Sequence, residues 1–208
     1  MYKHSKEAQS NVTPATALQY LKEGNSRFVN NLRANRDLLS QVNATRDGQY
    51  PFATVLSCMD SRTSVELIFD QGLGDIFSIR IAGNVLNQDI VGSMEFGTQL
   101  AGTKIIVVLG HTQCGAIKGA CDDVHLGQLT QLLNKIKPAI DSDTSTPPEN
   151  RNGKNPAFVT KVTENNVRNV IEQITAESPI ITELVNNGAI KIVGGMYHLE
   201  TGIVKFFE

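Results

Sequence analysis

Two short clusters in this 208-residue chain combine side chains able to hold a metal ion and steer a proton: Cys58 with Asp60 and Arg62, and His111 with Cys114. Each follows a short apolar run, residues 52–56 and 104–109, that reads as a buried strand. In an open parallel sheet, ligands collect at the C-terminal ends of the strands, where side chains from neighbouring strands converge. Two thiolates and one imidazole gathered there match the S and N donors that zinc prefers. His111-Thr112-Gln113-Cys114 places two of the three on one strand-to-helix turn. Three protein ligands leave a tetrahedral ion one position for water, as in catalytic zinc, whereas structural zinc is closed by four. Cys121 is the alternative fourth ligand. It lies seven residues past Cys114, about 10 Å farther along a continuing helix, which favours the open, three-ligand site.

Two thiolates and a neutral imidazole cancel the charge of a divalent ion, so they acidify bound water less than three imidazoles do. A nearby acceptor must then help to hold and orient it. Asp60, two residues from Cys58, is placed to accept that hydrogen bond, and Arg62 to pair with its carboxylate. The plainer alternative for Asp60 and Arg62 is an ion pair at a strand end. Of the remaining histidines, His4 reads as a tail residue, His125 as a helix-start or surface residue, and His198, at a strand end near the site, as structural in preference to a proton shuttle, a task that buffer can take over directly.

The elements that must position these clusters follow from periodicity. Thr13-Pro14 is an N-cap followed by proline, opening a helix over residues 14–31; residues 33–50 read as a loop or short helix. Residues 52–56, 76–81 and 104–109 read as strands, and residues 64–69 and 89–100 as the helices between them. Leu126 to Ile140 marks one helix, residues 141–156 a polar loop, and the valines and isoleucines of 159–174 another helix. Ser178-Pro179 opens a last helix ending at Gly188, and residues 190–193 and 203–207 form a closing hairpin around Glu200-Thr201-Gly202. Strands alternating with helices predict an α/β fold with a central, mostly parallel sheet flanked by helices. Residues 1–208 read as one domain, with 1–50 a helical arm and 51–208 the core. Gly110 and Gly115 are expected to serve tight backbone geometry at the metal turn.

Nineteen basic and twenty-one acidic side chains leave a net charge of −2, without the positive field that a nucleic acid needs. No apolar run reaches membrane-spanning length, and three cysteines cannot form an even disulfide framework. The expected setting is cytoplasmic, or periplasmic if an export signal has been removed.

The two motifs together resemble the β-class carbonic anhydrases, whose Cys-x-Asp-x-Arg and His-x-x-Cys patterns stand here as Cys58-Met59-Asp60-Ser61-Arg62 and His111-Thr112-Gln113-Cys114-Gly115, with 52 residues between Cys58 and His111. The likeness runs from the N-terminal helix through Gln49, residues 77–84 and 92–97 to Tyr197. It implies one zinc ion per chain on Cys58, His111 and Cys114. The implied activity is reversible hydration of carbon dioxide to bicarbonate and a proton, by a zinc-bound hydroxide that Asp60 and Arg62 orient. It further implies a homodimer or dimer of dimers, with the N-terminal helix on the neighbouring subunit and the active site at their interface. Gln49 matches a glutamine that bonds substrate across that interface, Phe77 an aromatic wall of the carbon dioxide pocket, and Gly115 joins them as a substrate-site residue. Some members bind bicarbonate at an inhibitory site of Trp, Arg and Tyr. Arg80 and Tyr197 match two of these, but Val55 stands where the tryptophan would be, and the chain has none. Ordinary loop, core and hydrogen-bonding roles remain the alternatives for Gln49, Phe77, Arg80 and Tyr197. The metal ligands alone do not select carbon dioxide over CS2 or COS. A cysteine hydrolase built on Cys58 and His111 would leave Cys114, Asp60 and Arg62 without a role, and Gly72-Leu73-Gly74 and residues 110–115 match no phosphate-binding fingerprint.

Overall fold

The computed structural model describes residue 2 and residues 4–207. The N-terminal helices are α1 (Lys6–Ser10), α2 (Pro14–Val29) and α3 (Leu38–Thr45). There follow β1 (Ala53–Ser57), α4 (Val65–Ile68), β2 (Ile76–Arg80), α5 (Gln88–Glu95), β3 (Ile105–His111) and α6 (Gly115–Cys121). The chain continues through α7 (Gly127–Asn134), α8 (Lys137–Asp141), α9 (Pro156–Glu177), α10 (Pro179–Asn186), β4 (Lys191–Tyr197) and β5 (Val204–Phe207). The strands form one sheet in the order β2-β1-β3-β4-β5, parallel throughout except for the antiparallel β4–β5 pair. The α/β class, the mostly parallel sheet and the C-terminal hairpin agree with expectation. No helix among the described residues is long and apolar enough to cross a membrane.

Side chains alternate across the two central strands. Ala53, Val55, Ile105, Val107 and Leu109 pack with Leu21 of α2 and Val65 and Ile68 of α4. Leu56, Ile106 and Val108 pack on the other face with Met94 of α5, Val167 and Val170 of α9 and Ile181 of α10. Every residue of β1 and β3 is buried, which is why both runs are mostly apolar rather than alternately polar, and the buried Thr54 hydroxyl pairs with that of Thr103. The helices on both faces leave the C-terminal edge of the sheet free to hold side chains.

Caps and prolines set the helix starts. Thr13, Asn155 and Ser178 each accept backbone N–H bonds, and Pro14, Pro156 and Pro179 follow them. Residues 33–50, read as a loop or short helix, contain α3. The single helix expected from Leu126 to Ile140 is two, because Pro138 lacks an N–H and its ring crowds the carbonyl of Asn134, where α7 stops. The helix expected over 89–100 ends as regular α-helix at Glu95 and finishes in a wider turn, with Ala101 N–H bonded to the Phe96 carbonyl.

Close approaches fix two glycines. A Cβ at Gly24 of α2 would overlap the Phe69 carbonyl, and one at Gly110 would lie 2.9 Å from both Thr163 and Val167 of α9. Gly115 is different: a Cβ there meets nothing within 4 Å, so crowding does not explain it. The tight geometry expected at both metal-turn glycines holds for Gly110 only.

The N-terminal arm is tied to the core by a buried carboxylate. Asp70, 3% exposed and at φ +44°, accepts from Arg27 Nε at 2.5 Å and Arg36 Nη1 at 2.5 Å. Its main-chain carbonyl takes Arg36 Nη2 at 2.6 Å. Burial pushes the Asp70 carboxyl up, but Arg27 and Arg36 outweigh it and hold it below the usual range. Replacing Asp70 by alanine leaves two guanidinium groups without their anion, and is expected to cost about 3–5 kcal/mol, read from urea unfolding at pH 7. A lowered folded-state pKa gives stability that is complete above the unfolded value and is lost as pH falls through the folded one. The wild-type advantage over Asp70→Ala should therefore be full at neutral pH and shrink only below the ordinary carboxylate range.

Candidate metal centre

β1 and β3 are hydrogen-bonded neighbours, with Ser57 in register with Leu109. Cys58 is the first residue beyond β1 and His111 the last of β3, so adjacency of the strands brings the two together across the 52 residues between them. The chain then reverses through Thr112 and Gln113, and Cys114 caps α6. Gln113 sits at φ +59°, a left-handed conformation unfavourable for a side chain of its kind, and its Oε1 accepts from Lys118 Nζ at 2.5 Å. Donor atoms of Cys58, His111 and Cys114 all lie within 4.8 Å of one another, and each residue is buried.

This donor set fits a tetrahedral metal ion. Two Zn–S bonds of about 2.3 Å at the tetrahedral angle separate their sulfurs by about 3.8 Å. Cys58 Sγ and Cys114 Sγ stand 3.9 Å apart. His111 Nδ1 lies 2.9 Å from the Thr112 carbonyl, an acceptor, which puts the ring proton on Nδ1 and leaves the Nε2 lone pair free. Nε2 is fully buried and has no hydrogen-bond partner among the described residues. An acceptor atom without a donor, beside two sulfurs at the right spacing, is what a cation would satisfy.

The sulfurs' protonation leads to the same conclusion. Cys114 chiefly, with His111 and the backbone N–H groups of Asp60 and Gly83, draws the Cys58 thiol down to about 4 against the opposing effect of burial. Cys114 is pushed up, first by Cys58 and then by burial. One proton leaves the pair readily and the second is retained, because two adjacent anions repel in a dry site. A dication between the sulfurs removes that repulsion.

Beside the sulfurs, Arg62 grips Asp60 in a fork: Nε to Oδ1 at 2.9 Å and Nη2 to Oδ2 at 2.8 Å, with Arg62 N–H also on Oδ1 at 2.9 Å. The fork holds the Asp60 carboxyl well below the usual range. The loop carrying Cys58 and Asp60 is clamped through its main chain. Arg80 donates to the Cys58 carbonyl at 3.2 Å and the Asp60 carbonyl at 2.5 Å, and Thr63 Oγ1 reaches the same two oxygens at 2.9 and 2.8 Å.

The other residues singled out in the sequence lie elsewhere. Gln49 is exposed and precedes β1, beyond the opposite edge of the sheet from Cys58. Phe77 is paired with Thr54, four residues before Cys58 and so about 13 Å along the strand. It lines an open groove of about 680 Å³ with Phe96 and Gly92. One chain therefore does not bring Gln49 or Phe77 to its own Cys58, His111 and Cys114. Tyr197 is buried in register with His111, while Arg80 lies on β2, three strands from β4 and about 14 Å away at the backbone. Cys121, at the far end of α6, is outside the metal-binding group. Thr63, Gly83, Thr112 and Lys118 support the centre and were not singled out. Thr63, Thr112 and Lys118 lie within five residues of a ligand, a proximity signal, whereas Gly83 acts through a backbone N–H, 3.4 Å from Cys58 Sγ, that no side-chain pattern announces.

Residues 53–204 match the family model described as carbonic anhydrase. The chain is 33% identical over 198 residues to carbonic anhydrase 2 of Mycobacterium tuberculosis, covering 92% of each protein. Its fold is similar to that of a Coccomyxa β-carbonic anhydrase in complex with acetazolamide, with a TM-score of 0.71, 25% identity and coverage of 90% of this chain and 85% of the other. A tetrameric β-carbonic anhydrase from Sordaria macrospora shares the fold at a TM-score of 0.68 and 22% identity, over 81% of this chain and 89% of the other. Cobalt titration of the chelator-stripped protein should show one ion taken up per chain, with strong thiolate-to-cobalt absorption that weakens in Cys114→Ser. Failure to absorb in that region would remove the two sulfurs from the metal's ligands.

Proposed function

Since the chain belongs to the β-class carbonic anhydrases, we propose that it hydrates carbon dioxide reversibly at Cys58, His111 and Cys114, with Asp60 and Arg62 steering the attacking oxygen. The observation that carries this is the pairing of a preformed S, N, S donor set with a carboxylate locked as an acceptor beside it. Zinc held by Cys58, His111 and Cys114 supplies a Lewis acid that brings the ionisation of water within reach of neutral pH.

The chain's own residues then have separable tasks. Cys58 and Cys114 neutralise the ion, and the Thr112 carbonyl fixes which nitrogen of His111 faces it. Asp60 offers about four lone-pair positions, of which Arg62 occupies three. The position left, on Oδ2, accepts one hydrogen bond from the attacking oxygen and turns that oxygen's lone pair toward the carbon. Because the fork keeps Asp60 ionised, it accepts and does not donate. Carbon dioxide is small, neutral and apolar, so orientation of the nucleophile, rather than tight binding, has to supply most of the rate.

We also propose that the working form is a homodimer or a dimer of dimers. Gln49 and Phe77 are remote from their own chain's centre, so a substrate-binding role for them requires a neighbouring subunit. Leu38, Leu39 and Val42 of α3 and Phe96 and Leu100 beyond α5 are exposed apolar side chains that such a neighbour would cover. Two thiolate ligands and a third free cysteine suit the reducing cytoplasm. Gly115 beside Cys114, and Arg80 and Tyr197, are kept as substrate-site and regulatory residues only by family likeness; Arg80 is engaged here on two carbonyls of the ligand loop.

Stopped-flow carbon dioxide hydration on metal-replete protein tests the activity and its steering group together. Asp60→Asn should retain its zinc and lose about 10²–10³-fold in kcat. Wild-type turnover in Asp60→Asn would remove Asp60 from the mechanism, and an inactive wild type with zinc bound would remove carbon dioxide as the substrate.

A further inference from the structure

Thr112, between His111 and Cys114, engages every hydrogen-bonding atom it has. Its carbonyl faces His111 Nδ1 at 2.9 Å, and its N–H donates to the Tyr197 carbonyl at 3.0 Å. Its hydroxyl accepts from Leu199 N–H at 3.0 Å and donates to Glu200 Oε2 at 3.1 Å. Three of these four bonds reach the end of β4 and the turn that follows it.

That turn is itself fixed. Gly202 N–H bonds the His198 carbonyl at 2.8 Å, with Gly202 at φ +74°. Asn25 of α2, 6% exposed, donates to the Gly202 carbonyl at 2.8 Å and accepts from Val204 N–H at 2.9 Å. It also donates to the Ile68 carbonyl at 3.1 Å, so α2, α4 and the turn are joined through one amide.

The carbonyl that orients His111 belongs to the peptide linking Thr112 to Gln113. The torsion on the far side of that peptide is the unfavourable φ +59° of Gln113. A peptide plane at such a place relaxes unless something holds it, and any rotation carries the carbonyl away from Nδ1 and frees the ring to turn. The Thr112 hydroxyl is the side-chain group that connects this peptide to a fixed element.

We propose that Thr112 and Glu200 are positioning residues for the metal centre: the hydroxyl, pinned between Leu199 N–H and the Glu200 carboxylate, holds the Thr112 carbonyl on His111 Nδ1 and so keeps Nε2 aimed at the site between the two sulfurs. This rests on the metal-holding role proposed for Cys58, His111 and Cys114. Outer partners of metal-bound histidines commonly change metal affinity by about 10–100-fold.

The test is metal release from the full-length zinc protein into excess chelator, with the visible spectrum of the cobalt form as the geometric readout. Thr112→Ser keeps the hydroxyl and should match wild type. Thr112→Val keeps the shape without the hydroxyl, and should release zinc about 10–100-fold faster and alter the cobalt bands. Glu200→Ala, at an exposed position, should move both readouts the same way by less. A purely structural role would lower the melting temperature of the metal-free protein while leaving the cobalt bands unchanged. Thr112→Val with wild-type release and wild-type bands overturns the proposal. If Thr112→Val does not fold, Glu200→Ala decides, and wild-type release and bands there overturn it equally. A wild-type protein that takes up no metal overturns the metal-holding role beneath it, a result distinct from wild-type uptake that neither variant perturbs.

Discussion

Two sulfur atoms 3.9 Å apart in a buried site cannot both carry charge unless a cation stands between them. That constraint organises the whole C-terminal edge of the sheet. Cys58 is drawn toward the thiolate form and Cys114 away from it, while the lone pair of His111 Nε2 is left without a donor. A dication resolves all three at once. The surrounding hydrogen bonds do not, because even with the backbone N–H groups of Ala116 and Ile117 on Cys114 its thiol stays raised beside Cys58.

What presents the sulfurs to each other is the pairing of β1 with β3. The strands are adjacent in the sheet although α4, β2 and α5 lie between them in the chain. Their register sets Ser57 against Leu109, so the ligand after one strand and the ligand ending the other meet at one level. A slip of β1 by one residue against β3 would turn Leu56 toward the opposite core and separate the ligands in the same movement. Packing and chemistry thus depend on the same set of backbone hydrogen bonds.

Much of this was legible in the sequence because it depends on local patterns. The apolar runs over 52–56 and 104–109, the capped prolines and the two ligand clusters are each contained in a few residues. Pro138 was equally visible, but the apolar spacing from Leu126 to Ile140 persists through it, and periodicity alone passes over the break. The supporting bonds were hidden for another reason. Gly83 contributes a backbone N–H, Arg80 grips two carbonyls and Glu200 reaches Thr112 from 88 residues away. None of these leaves a spacing to read, since each depends on which strands become neighbours. Gln49 and Phe77 show the limit from the other side: family likeness marks them, yet their place in one chain gives them nothing to act on.

Arg80 and Thr63 hold the ligand loop by its carbonyl groups and not by its side chains. The path of the chain from Cys58 to Arg62 is consequently insulated from what projects at Met59 and Ser61, both of which face solvent. Side chains at those two positions, which flank Asp60 in the chain, can therefore change in bulk or polarity while the hydrogen bonds to the Cys58 and Asp60 carbonyls stay in place.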